Sequence, residues 1–177
     1  MDLSKFKTSD WLKVVGGLGV LIFGFVSWVK VSFNGTSDSG GNAFDFFWTG
    51  TLPWILIVGA AVITVLIATG TIKPGTVPWP LITMAATVIG ALLLVLRLIF
   101  NPIDGKDIIE DAGGEVERGI GMIMSTLFGI VTAVGGFLGF KESGGDLNDL
   151  RDLNKLKGSF NRPGDSTPPP PPPPPIV

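Results

Sequence analysis

Six carboxylates crowd one polar stretch, Ile103 to Arg118: Asp104, Asp107, Glu110, Asp111, Glu115 and Glu117. Hard oxygen ligands at that density could hold a divalent cation. Their spacing is not that of an EF-hand, and Gly113-Gly114 interrupts it, so the stretch reads as a solvated acidic loop balanced in part by Lys106 and Arg118. No metal site is expected. The chain has no His and no Cys. That excludes imidazole acid–base chemistry, thiol nucleophiles, disulfides and the usual zinc and haem ligand sets. A serine enzyme would need a nucleophile elbow or an S-x-x-K pair. Neither stands in a suitable place, and Ser4-Lys5 lies in the polar lead. The residues therefore predict no catalytic group and no cofactor, and a protein that is not an enzyme. Asn34-Gly35-Thr36 matches a glycosylation sequon, which matters only in a secretory-pathway organism.

The elements around these residues are membrane spans. Hydrophobic residues make up 46% of the 177 positions and charged ones only 16%, against roughly 25% in soluble domains. Mean hydropathy is +0.50. A net charge of −2 gives no basic footprint for nucleic acid. The apolar residues gather into four charge-poor runs of about the 20 residues that a bilayer requires. They predict spans at about 11–31, 53–69, 79–100 and 119–140, after a cytoplasmic lead at 1–10. Ser9 or Asp10 can cap the first, Thr51 the second, with Pro53 where a helix has no N–H to lose. The first run is too long for a signal-peptide core, and its end, Ser27-Trp28-Val29-Lys30, is not a small-residue cleavage site.

Trp11, Trp28, Trp48, Trp54 and Trp79 stand near span ends and read as interface anchors. Between the first two spans, Asn34-Gly35 and Ser39-Gly40-Gly41 are turn chemistry, and the aromatic run Phe44 to Trp48 reads as an interfacial half-helix. Arg97, three residues from the end of the third span, is expected to reach the interface. The hydroxyls inside the spans, such as Thr64, Thr83, Thr87, Thr126 and Thr132, are expected to bond back to the preceding turn.

In the fourth run Gly121, Ser125, Gly129 and Ala133 recur every four residues, and Thr132, Gly135, Gly136 and Gly139 widen the strip. Such a seam lets another helix backbone come close, which matters because lipid gives helices no hydrophobic reason to associate. The strip Ala86/Gly90 of the third run is the expected partner. The fold class predicted is all-α: an integral membrane four-helix bundle, then a short amphipathic cytoplasmic helix at 141–160 with Leu147, Leu150, Leu153 and Leu156 on a broad face, then a disordered proline-rich tail at 161–177. The unbroken run Pro168 to Pro175 must be a stiff polyproline rod.

Four spans put both termini on one side. Nine of the thirteen Lys and Arg, including Lys5, Lys7, Lys13, Lys73 and Lys141, fall on that side, so the positive-inside rule makes it cytoplasmic and the location the plasma membrane. The phrases MDLSKFKTSDW, NAFDFFWTGTLPW, RGIGM and KESGGDLNDLRDLNKLK give the chain its overall pattern. In them it resembles an uncharacterised group of small four-span membrane proteins that recur in actinobacteria. The resemblance implies location and threading, and no activity or site residues. The expected role is a non-enzymatic anchor or scaffold in the lipid bilayer that offers its tail to a cytoplasmic protein, the rod serving as spacer or as recognised segment. The alternative is a small transporter, channel or pore-forming subunit, which four helices could build only as a homo-oligomer.

Overall fold

The computed structural model describes residues 6–73, 77–100 and 106–146. Helix α1 spans Thr8–Phe23, α2 Leu52–Ala68, α3 Trp79–Phe100 and α5 Ile120–Glu142, with a six-residue α4 at Lys106–Asp111. Strands β1 (Val29–Phe33), β2 (Thr36–Gly41) and β3 (Gly114–Arg118) form one antiparallel sheet in the order β2-β1-β3. The chain is mostly helical but not all-α, which corrects the expected fold class. Three helices are long and apolar enough to cross a membrane: Phe47–Ala68, Trp79–Phe100 and Ile120–Glu142. The first expected span, 11–31, is instead divided between a 16-residue helix and a strand.

The division has a local cause. Phe23 ends α1, and its carbonyl accepts the indole N–H of Trp28 at 3.0 Å, so the chain folds back over the helix end. From Val29 the side chains alternate, Val29, Val31 and Phe33 against Lys30 and Ser32, as a half-buried strand requires. Asn34 (φ 48°) and Gly35 (φ 80°) are both left-handed, the two-residue turn whose twist suits a hairpin. β3 joins the other edge of β1, with Lys30 opposite Glu117 and Val31 opposite Val116.

The four long helices form a ring in the order α1, α2, α3, α5, each antiparallel to its neighbours. Gly17 of α1 lies against Ala61 of α2, and Gly16 against Thr132 and the Phe128 carbonyl of α5. Gly136 of α5 lies against Thr87 and Met84 of α3, and Gly90 of α3 against Ile57 of α2. The axis is filled by Val20, Ile57, Leu94 and Met122, all at most 1% exposed. The hydroxyls of Thr64, Thr83, Thr87, Thr126 and Thr132 each bond the carbonyl four residues earlier at 2.8–2.9 Å, as expected. Asp10 supports the start of α1, but from inside the helix: its carboxylate accepts the Lys7 N–H at 3.2 Å. Thr51 does not cap α2, because the helix begins earlier, in a π-turn at Phe47–Thr51, and its hydroxyl turns to the Ala43 carbonyl. Pro53 is in the first turn of α2 as the sequence suggests.

Candidate functional site

The two ends of the bundle differ. At the end away from the termini, the sheet and the turns at Ala43–Asp45 and Phe47–Thr51 form a cap. Trp28 is fully buried under it, so this tryptophan is a core residue and not the interface anchor that its place in the sequence suggests. The segment 24–28 is not helical, yet its backbone is paired: Trp28 N–H to Gly41 O at 2.8 Å, Ala43 N–H to Gly24 O at 3.1 Å, Gly121 N–H to Ser27 O at 2.9 Å and Gly119 N–H to Trp28 O at 2.8 Å. Irregular backbone is tolerated at membrane depth only when it is satisfied in this way.

Arg97 is also inside the cap, at 1% exposure, and does not reach the surface as expected of it. Its guanidinium lies 3.6 Å from the Phe46 ring centre and 5.9 Å from that of Trp28, and its Nη1 donates to Thr49 Oγ1 at 2.7 Å. Arg118 at the end of β3 donates to the last carbonyls of α3, Leu98 O at 2.8 Å and Ile99 O at 3.3 Å, where a helix end favours a cation. Two arginines therefore fasten the cap to α3. A lysine cannot lie flat on Phe46, and a desolvated cation–π contact is worth about 2 kcal/mol. Arg97→Lys should lower stability by about 1–2 kcal/mol in thermal unfolding. Combined with Phe46→Leu it should cost less than the sum of the two single changes, because they remove one shared contact.

At the end that carries the termini the helix pair α1/α5 stands apart from the pair α2/α3, leaving a cleft of about 390 Å³. One wall is polar. Lys13 is 7% exposed, and its ammonium meets Asp10 Oδ1 at 3.0 Å. Ser9, buried beside it, donates to Glu142 Oε2 at 2.7 Å and so ties the first turn of α1 to the last of α5. Gly139 makes room for Lys13, since a side chain there would start 3.2 Å from Nζ. The facing wall is Ile67 and Ala68 of α2 with Val77, Trp79 and Pro80 of the α3 entrance. Only part of this was readable in the sequence. Asp10 and Lys13 have salt-bridge spacing, but Ser9 and Glu142 are 133 residues apart.

The small-residue seam is distributed among several neighbours. Gly121 abuts the carbonyls of Val26 and Ser27, and Ser125 is fully buried. Gly129 faces Leu94 and Ala91 of α3 and the tip of Ile57, while Ala133 is half-buried. Gly90 turns to α2 and Ala86 is half-buried, so α3 is the neighbour of Gly129 through residues other than that pair. Trp48 is 71% exposed and Trp11 is exposed; Trp54 is half-buried with Phe25 and Phe44 packed on it; Trp79 is half-buried at the cleft. Of the acidic loop, Asp104 lies outside the described residues, Lys106 pairs with Glu110 at 3.4 Å, and Glu115 and Glu117 point outward from β3. Among the described residues no group of three or more potential ligands is placed to hold a metal ion. The expected amphipathic helix at 141–160 is described only to Asp146, with α5 carrying Lys141 and Glu142, and the tail at 161–177 lies outside the described residues. Comparison with protein-family models, curated proteins and solved structures gives no match.

Proposed function

We propose that the chain is a multi-pass plasma-membrane protein that acts as an anchor or scaffold, without catalytic activity of its own. In this reading all four long helices cross the bilayer and both termini are cytoplasmic. α1, with 16 residues, covers about 24 Å at 1.5 Å per residue, short of a hydrocarbon core of about 30 Å. The paired segment 24–28 makes up the difference. The cap then lies on the outer face, and the cleft and the tail on the inner. The tail is offered to a cytoplasmic protein.

The observation that carries this reading is the filled axis. Val20, Ile57, Leu94 and Met122 close the space that a conduction path through one chain would need, and Ile57 approaches Gly129 across the ring. Purified protein in a planar bilayer should therefore give no stepwise conductance, and in liposomes no solute release above that of empty vesicles. Reproducible unitary currents would favour the alternative, an oligomeric transporter, channel or pore-forming subunit.

A further inference from the structure

We propose that the cleft between α1/α5 and α2/α3 seats the head group of an aminophospholipid, a phosphate followed by a primary ammonium, taken from the surrounding bilayer. The inference rests on the membrane reading given above. Its first support is the division of the walls. Lys13, Asp10 and Glu142 face Ile67, Val77 and Trp79, so an occupant must be charged on one side and apolar on the other. The second support is depth. The apolar helices end at Ala68 and begin at Trp79, so the cleft opens where head groups lie.

The charges decide which amphiphile. Lys7 and Lys13 are offset by Asp10 and Glu142, so the lining is neutral overall and holds both signs. A purely anionic head group would meet two carboxylates, and a purely cationic one two ammoniums. A zwitterion can satisfy both. The Lys13 ammonium has three protons to donate, and Asp10 is its ion-pair partner among the described residues. A buried ammonium gains from every further acceptor, because water no longer supplies them. A phosphate oxygen beside Nζ is such an acceptor. Glu142 accepts Ser9 through Oε2, and its other oxygen can take the lipid's ammonium. The volume of about 390 Å³ lies within the usual range of ligand sites, about 300–1,000 Å³, and suits a head group rather than two acyl chains, which stay in the bilayer.

The test uses the full chain in detergent, with bound lipid read by native mass spectrometry and melting temperature read in parallel. Phosphatidylethanolamine should bind at least tenfold more tightly than phosphatidylglycerol and should raise the melting temperature. Glu142→Gln, at an exposed position, should lose that preference, whereas Lys13→Met should weaken the binding of both lipids, since each carries the phosphate that Lys13 meets. Equal or tighter binding of phosphatidylglycerol would overturn the proposal, as would an unchanged preference in the Glu142→Gln protein. Soluble glycerophosphoethanolamine, without acyl chains, should give no shift at millimolar concentration; a full shift would assign the cleft to a free metabolite instead of a lipid. Alkaline carbonate extraction of native membranes separates the two readings. Release of the protein would overturn the membrane reading, whereas retention with no preference for phosphatidylethanolamine would overturn the head-group site alone.

Discussion

Gly135→Leu should unfold at a clearly lower temperature than the native chain, and Gly59→Leu should not. A first side-chain atom at Gly135 would start 2.8 Å from the Lys13 nitrogen and 2.9 Å from the Ser9 carbonyl, both backbone atoms of α1 that cannot swing aside. Leucine there forces α1 and α5 apart along a crossing that also includes Gly16 and Thr132. Overpacking costs about 1–3 kcal/mol, and the better helix propensity of leucine returns up to about 1 kcal/mol. With rigid backbone on the far side the upper end applies, leaving a net loss of about 2 kcal/mol, or roughly 4–8 °C for a chain of this length. At Gly59 nothing lies within 4 Å, so only the propensity gain remains. The same chemical change should therefore have opposite effects at the two sites in detergent unfolding. An equal change at both would mean that α1 does not pack on α5 as described.

The second large effect is at Trp28. It is the largest fully buried side chain, and its indole N–H is the partner of the Phe23 carbonyl. Trp28→Ala should cost about 3–5 kcal/mol, since it opens a cavity under the sheet and leaves that carbonyl with only the longer bond from the Val26 N–H, at 3.3 Å. The loss should concentrate in the cap. Trypsin should then cut at Lys30 and Arg118 while the helical circular dichroism of the bundle persists. Trp28→Phe keeps most of the packing and should cost about 1 kcal/mol, close to one hydrogen bond. If Trp28 were only an anchor among lipid head groups, the alanine variant would behave like the native protein.

Trp28 also shows where reading the chain by hydropathy stops. Between Lys13 and Lys30 the run is uncharged and mostly apolar, so a span-length window passes over the point where Phe23 ends the helix. The signal for a strand was present but short: Val29, Val31 and Phe33 alternating, then Asn34-Gly35. Its partner β3 lies more than eighty residues away, and Gly114 to Arg118 has only Val116 to mark an inner face. Arg97 was misplaced for a related reason. A cation near a helix end normally snorkels to water, but here Phe46 and Thr49 cover that end. The three longer helices were legible because their hydropathy is sustained over a span length, and prolines and tryptophans mark the starts of two of them, at Pro53-Trp54 and Trp79-Pro80. The glycines of α5 announced close packing without naming neighbours, since one helix face can serve α1 and α3 at once. The cleft was the least legible feature, because its two walls come from the four helix ends.

In the proposed threading the bundle crosses a membrane with the cap outside and both termini inside. The chain has no Cys, so single introduced cysteines report without background. Ser37 lies on the exposed hairpin, Glu115 on β3 and Lys73 after α2 at the opposite end. In intact cells an impermeant maleimide should label Ser37→Cys and Glu115→Cys, and should label Lys73→Cys only after permeabilisation. Labelling of Lys73→Cys in intact cells, with Ser37→Cys and Glu115→Cys protected, would contradict the account.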